Sequence, residues 1–333
     1  MPVTVPATAG AAEVQISAYI DTYAAFDSAM PADHRRPSFL FSHARTDGLT
    51  INQAVLGVAL EGSELRAAAA GMAGTFAADN QGFEEPGLRN ISEARVGLRL
   101  GGQTWLDAGV FPSHLGAEGA LSIDSPTLTR SINAESSPYY LAGAKLSAPL
   151  GEQLQVGLLA ANGWQTIRQT DPPSVGGGSW ATYRPTGALT LNWSTWVGLQ
   201  QPAGEARVFN DLYAVVSRDR LDLIAWVDVG TQAGAAWGGA NLIARGWLRP
   251  GLALSGRLEH YRDPDGLIVQ VNGAGALLSG ASVGLDLAPA RLQTPGRGEA
   301  MWRVEHRLLH ANRDIFGDQP RDHLITTSLA FRL

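Results

Sequence analysis

Glu93, Arg95 and Arg99 are separated by even numbers of residues, as are Arg257 and Glu259, and Arg303, Glu305 and Arg307. In an extended chain successive side chains point to opposite faces, so each set falls on one face. Apolar residues take the other: Ala94, Val96 and Leu98 beside the first set, Trp302, Val304 and Leu308 beside the last. Lys145, the only lysine, lies opposite Ala144 and Leu146, and Arg245 lies opposite Leu242, Ala244 and Leu248. Rows of both signs can attract, orient and sort ions. They do not spell a catalytic centre. There is no His-Glu-x-x-His and no phosphate-binding loop. His306 and His310 are four apart, a spacing that does not bring two imidazoles to one metal on a strand. With no cysteine, disulfides and thiolate metal sites are excluded. Asp263-Pro-Asp-Gly reads as a turn, since Asp-Pro and Asp-Gly are turn formers. No catalytic residue, metal or cofactor is therefore expected.

The rows require strands to hold them. The dominant period is two, as in Leu189, Leu191, Trp193, Val197 and Leu199 against Thr190, Asn192, Ser194 and Gln200. Sixteen strands are predicted, the first eight over Glu13–Asp27, Leu49–Leu60, Glu64–Ala77, Ile91–Leu100, Gln103–Phe111, Tyr139–Ala148, Gln153–Trp164 and Gly177–Arg184. The rest cover Ala188–Gln200, Arg207–Ser217, Leu221–Gln232, Ala236–Arg249, Leu252–Arg262, Leu277–Ala288, Glu299–Leu308 and His323–Leu333. Most are longer than the globular mode of about five or six residues and match the roughly 9–11 that a tilted strand needs to cross a bilayer. Short turns such as Gly101-Gly102 and Pro250-Gly251 alternate with long loops such as Ser28–Gly48 and Pro112–Pro138. Two outer loops, near Gln201–Glu205 and Ala233–Ala235, are short for their class, and the turn Ala288–Gly298 is long.

Alternation alone does not separate a soluble sandwich from a membrane barrel; its strictness does. A charge facing lipid at mid-depth costs about 2–4 kcal/mol, and mid-strand charges here keep to one parity. The apolar rows are rich in Ala and Gly, adequate against lipid but thin for a close-packed core. A spanning sheet must close, because an open edge leaves backbone polar groups unpaired in hydrocarbon. The predicted fold is a closed antiparallel transmembrane β-barrel of about sixteen strands over residues 13–333, preceded by a periplasmic segment, 1–12. Trp193 and Trp302 fall on the lipid parity and are expected in boundary girdles; Trp196, Trp226, Trp237 and Trp247 fall on the lumen parity and are expected to pack beneath loops. The start Met1-Pro2-Val3-Thr4 has no basic stretch followed by an apolar segment, so a leader is expected to have been removed. Charged residues make up 17%, against about 25% in ordinary soluble proteins. The net charge of −6 argues against a nucleic-acid partner. The partners expected are bilayer lipid and lipopolysaccharide, small hydrophilic solutes, and a second copy in a homo-oligomer.

Several blocks carry a resemblance. They are Val96-Gly-Leu-Arg-Leu-Gly, Thr104-Trp-Leu-Asp-Ala-Gly-Val-Phe-Pro-Ser-His-Leu-Gly116, Leu128-Thr-Arg-Ser-Ile132, Ala134-Glu-Ser-Ser-Pro-Tyr-Tyr140, Asn162-Gly-Trp164 and Tyr261-Arg-Asp-Pro-Asp-Gly266. Together they resemble the OmpL-like β-barrel porins from Ile16 to the C-terminus. The final segment, with Ile325, Leu329, Phe331 and Leu333 alternating, is similar to the last strand of outer-membrane proteins, although Leu333 stands where Phe or Trp is usual. The resemblance implies an outer-membrane channel and supplies no catalytic residue and no substrate.

Such a channel would pass small hydrophilic solutes and ions passively. A solute-selective channel, for anions or oligosaccharides, and a barrel used as scaffold or adhesin are the alternatives. The loop Pro112–Pro138 carries Glu118, Asp124, Arg130 and Glu135. By analogy with general porins it folds inward, its acids facing wall bases such as Arg95, Arg99, Lys145 and Arg245 across a constriction. Ser125-Pro126 would open a short helix there, with the serine as cap. The expected pore-lining set is completed by Asp107, Arg257, Glu259, Arg303, Glu305 and Arg307. Arg66, Asp21, Glu93, Asp211, Asp222 and Asp228 also take the inward parity, and because the signs of the inward wall rows nearly cancel, weak ion selectivity is expected.

Overall fold

The computed structural model describes residues 3–5, 12–200, 203–271, 273–289 and 298–333. Seventeen strands are present among the described residues. Val3–Val5 forms β1, followed by β2 (Glu13–Asp27), β3 (Thr50–Glu61), β4 (Leu65–Ala73), β5 (Ile91–Gly101), β6 (Thr104–Pro112), β7 (Tyr140–Leu150) and β8 (Leu154–Ala161). Then come β9 (Gly176–Thr186), β10 (Leu189–Gln200), β11 (Glu205–Arg218), β12 (Leu221–Gln232), β13 (Ala235–Arg249), β14 (Leu252–Asp263), β15 (Ala276–Leu287), β16 (Glu299–Ala311) and β17 (Arg321–Arg332). From β2 onward each strand pairs antiparallel with the next. The last, β17, pairs back onto β2, from Leu324 opposite Asp27 to Arg332 opposite Tyr19. The sixteen strands thus close a barrel with no free edge, the only sheet form that satisfies its backbone in hydrocarbon. The short β1 joins β2 at Val14, Gln15 and Ile16. The rest of the expected N-terminal segment before Ala12, residues 201–202 of one short outer loop and most of the long turn before β16 lie outside the described residues.

The two faces of the sheet are inverted relative to a soluble protein. Leu56, Val96, Leu158, Leu212 and Leu258 are more than half exposed on the outside. Asp21, Asp107, Asp211, Arg303 and Glu305 are buried on the inside. Such an apolar outer band is stable only when lipid covers it. Trp193 and Trp302 stand on that outer face in the half nearer the short turns, each hydrogen-bonded by its indole to a neighbouring strand, at Asn210 and Thr327.

Two strands end three or more residues short of expectation. Glu64–Ala77 ends as a strand at Ala73, and helix α1 (Thr75–Asn80) follows. Gly74 takes φ +120, and a Cβ there would stand 2.4 Å from the Asn52 carbonyl oxygen, so the chain turns where a side chain has no room. The segment Gln153–Trp164 is a strand only over Leu154–Ala161.

Candidate functional site

After β6 the chain enters the barrel. Every residue from Ser125 to Pro138 is buried although none lies in a strand. The wall of β14–β16 holds this loop. Arg303 donates in bidentate fashion to Asp286, at 2.8 and 3.0 Å, and also to the carbonyls of Ser122 and Pro126, both at 2.7 Å. Arg257 donates to Thr127 Oγ1 at 2.9 Å and to the Thr129 carbonyl at 2.6 Å. In return Glu305 accepts from Thr129 N (3.0 Å) and Oγ1 (2.6 Å), and Glu259 accepts from Ile132 N (2.8 Å). Arg257 bridges Glu259 and Glu305, and Arg307 donates to Glu259 at 3.0 Å. Each charge is matched by an opposite one, and Arg257, Arg303, Glu259 and Glu305 also meet loop amides, hydroxyls or carbonyls, the condition under which buried ions are tolerated.

This use of carbonyls explains why the helix expected at Ser125 is absent. An α-helix consumes its carbonyls internally, whereas here those of Ser122, Pro126 and Thr129 face wall arginines. Helical turns flank the anchored stretch instead: a 3₁₀ turn over Ser122–Asp124, and α2 (Ile132–Glu135), capped by Ser131 accepting from Ala134 N.

The loop's own charges do not face the bases named from the sequence. Glu118 accepts from Ser131 N at 2.9 Å. Asp124 pairs with Arg332. Arg130 donates to the carbonyls of Gly119, Thr127 and Leu128. Glu135 accepts from Phe41 N and Ser42 N of the first outer loop, at 3.1 and 3.0 Å. Burial pushes the Glu135 carboxyl above its usual range, against these two amides. Arg99 is not in the barrel interior. It donates to the Gly102 and Ser63 carbonyls at the short-turn end. Parity fixes the face a residue takes but not its depth. Arg245 sits beside Asp222, at 3.2 Å, and reaches the Ser125 carbonyl only at 3.5 Å.

Across from the anchored loop lies open space. A cavity of about 460 Å³ runs between Pro112–Gly116 and the wall of β4–β11. Its charged lining is Arg66, Glu93, Arg95 and Lys145, and Ser147, Gln155, Thr182 and Asn192 add neutral polar groups. Asp107 is fully buried behind it, taken by Arg66 and by Arg95 at 3.1 Å. Lys145 Nζ stands 4.5 Å over the Phe111 ring. Strand register sets the place of Arg66 beside Lys145: Arg66 lies opposite Gly97, Gly97 opposite Asp107 and Asp107 opposite Lys145. His114, which also borders the cavity, meets the Thr195 carbonyl at 2.8 Å through Nε2. Burial pulls its pKa down to about 4, so it is neutral at pH 7 and its Nε2–H donates.

The lumen-parity tryptophans pack beneath loops. Trp226 lies under Gly116, whose Cβ would be 3.4 Å from the ring, and its indole donates to Asp228 at 2.6 Å. Trp164, Trp196, Phe209 and Trp237 form one aromatic cluster near the outer loops. Trp247 packs with Ile123 and Tyr19. The turn at Asp263 is closed by its carboxylate, which accepts from Leu267, Ile268 and Val269 N. Gly280-Ala-Ser-Val-Gly284 has the spelling of a hydrolase nucleophile elbow, but it lies inside β15 rather than on a strand-to-helix turn, and Ser282 accepts from Arg257 at 2.9 Å. His306 meets His323 at 3.2 Å on the outer face, away from His310.

No curated protein matches this chain. Among solved structures, the barrel is similar to OmpF of Salmonella typhi in complex with daunomycin (TM-score 0.68, 9% identity, 99% of this chain and 100% of that one). It is also similar to an anion-selective porin from Comamonas acidovorans (TM-score 0.63, 12% identity, 97% and 100%). A third is OmpT of Vibrio cholerae in a trimer form (TM-score 0.60, 9% identity, 97% and 100%). At these identities the likeness concerns fold alone. The family model described as "Putative beta-barrel porin-2, OmpL-like" matches residues 13–333. With a closed sixteen-stranded barrel, an apolar outer band and a loop seated inside, the chain belongs to this OmpL-like porin family, a family of channels for solutes in the bacterial outer membrane.

Proposed function

We propose that solutes pass by simple diffusion between the anchored loop and the β4–β11 wall, and that the passage carries a mild preference for small hydrophilic anions. The observation that carries this reading is the asymmetry of charge between the two sides of the lumen. On the β14–β16 side Arg257, Arg303, Glu305 and Arg307 are buried in ion pairs and loop contacts, so they hold the loop rather than meet a solute. On the opposite side Arg66, Arg95 and Lys145 border open space with Glu93; Arg66 and Arg95 pair with Glu93 and the buried Asp107, which leaves Lys145 as the cation in excess. A cavity lined by one predominant sign raises the local concentration of the opposite ion. Family and fold speak for a channel rather than an enzyme. Self-association is part of the proposal, and the trimer form of one structural neighbour supports it.

The reversal potential in a KCl gradient tests the sign. Chloride is expected to be favoured modestly over potassium. Lys145→Glu is expected to reverse that preference, because it removes one cation and adds one anion at the lining. A cation-preferring channel, or a Lys145→Glu variant with unchanged reversal potential, contradicts the proposed path.

A further inference from the structure

Among the described residues six arginines are buried: Arg36, Arg130, Arg207, Arg257, Arg303 and Arg307. Four of them pair with carboxylates, and Arg130 is taken by three loop carbonyls. Arg207 has neither. Among the described residues no carboxylate lies within 4.0 Å of it. Among the described residues its one side-chain hydrogen bond goes from Nε to Gln232 Oε1, at 2.9 Å. Its guanidinium instead lies between two indoles, 4.9 Å from the Trp164 ring and 5.3 Å from Trp237. The aromatic faces offset part of the desolvation cost of the cation but neutralise no charge.

Arg207 is not sealed off. It borders a cavity of about 330 Å³ among the outer loops, with Phe39, Phe41, Phe83 and Trp164 as aromatic lining. Phe83 is 71% exposed at this rim, an expensive place for a phenyl ring with no partner. The acids that could answer the arginine are already engaged. Glu135, which shares the cavity, is held by the Phe41 and Ser42 amides, and Asp263 by three amides of its own turn. The cavity also stands at the passage: Ser137 lines it, and Ser137 Oγ would be 3.5 Å from a Cβ on Gly116, which borders the space below.

We propose that this mouth is a capture site for small organic anions with an apolar ring, the anionic group meeting Arg207 and the ring resting against Phe83 and Trp164. A pocket with an apolar lining and one convergent charged group is the usual form of such a site. The proposal deepens the channel reading by naming a solute class, and its physiological meaning rests on that reading.

The probe is benzoate, with acetate as charge without ring and benzyl alcohol as ring without charge. Detergent-solubilised barrel is titrated by tryptophan fluorescence, a readout that needs no conduction. The reconstituted channel is then titrated by current block from the outer side. Benzoate is expected to quench and to block at least about tenfold more strongly than either control, the ratio equivalent to ~1.4 kcal/mol. Arg207→Gln is expected to reduce benzoate to the level of benzyl alcohol in both readouts. Phe83→Ala, an exposed substitution that leaves the fold intact, is expected to weaken benzoate and leave acetate unchanged. Equal responses to benzoate and acetate, or an Arg207→Gln barrel that still migrates as a folded heat-modifiable species and binds benzoate normally, overturns the site. A protein that binds benzoate yet never conducts leaves the site standing and removes the channel reading.

Discussion

Arg257 joins the wall to the loop by three hydrogen bonds, to Thr127 Oγ1 and to the carbonyl and hydroxyl of Thr129. It meets Glu259, Glu305, Thr127, Thr129 and Ser282. Removing it leaves the buried Glu305 without its ion-pair partner, a defect that typically costs about 3–5 kcal/mol. Arg257→Ala is therefore expected to lower the thermal unfolding midpoint in detergent and to raise channel conductance, because the loop loses its central anchor. An unchanged midpoint contradicts the anchoring role. His114 sets a pH dependence of definite sign. Its folded pKa, about 4, lies below the usual imidazole value of 6.5, so the folded state binds fewer protons between these pH values. Stability from this residue is full above pH 6.5 and is lost as pH falls through about 4. Thermal melts from pH 7 to pH 4 are expected to show the loss, and His114→Gln to remove that part of it. The residue scale was also where sequence reading was least complete. Arg303 was placed inside the barrel by its parity with Glu305, but its partners are carbonyls of Ser122 and Pro126, groups every residue carries and no motif marks. Arg99 had the correct parity and the wrong depth; the Gly101-Gly102 turn two residues on was the available signal.

Among the elements, the strands were legible because lipid and water each read one parity. Trp302 and Arg303, adjacent in sequence, end on opposite sides of the wall. The ends were less legible. The Gly74-Thr75-Phe76-Ala77 stretch continues the small and apolar pattern of β4, and only the lack of room for a Cβ at Gly74 shows where the strand stops. The inward loop was anticipated by analogy with general porins, but its geometry was not. Its seat against β14–β16, rather than centrally between facing charges, depends on contacts between residues more than a hundred positions apart, such as Thr129 and Glu305. Deleting Ala120–Ser131 removes these contacts and vacates that side of the lumen. Single-channel conductance is then expected to rise several-fold, with anion preference weakened because the added space is lined by both signs. Unchanged conductance means that the loop does not narrow the passage.

At the scale of the molecule, the charges inside are not one population. Those of β14–β16 are internal structure, as the buried Arg257, Glu259, Arg303, Glu305 and Arg307 show, and those of β4–β7 border open space. Composition gave their near-cancellation, which suggested weak selectivity; the fold separates the two groups and leaves a small positive excess where solute would pass. The central claim remains that the apolar rows meet acyl chains while water fills the space they enclose. Swelling of liposomes containing the purified barrel, in sugars of graded size, tests it most directly. The account predicts swelling that falls smoothly as the sugar grows and that increases when Ala120–Ser131 is deleted. Liposomes that carry folded, membrane-inserted barrel yet do not swell in any sugar, with or without the loop, would contradict it.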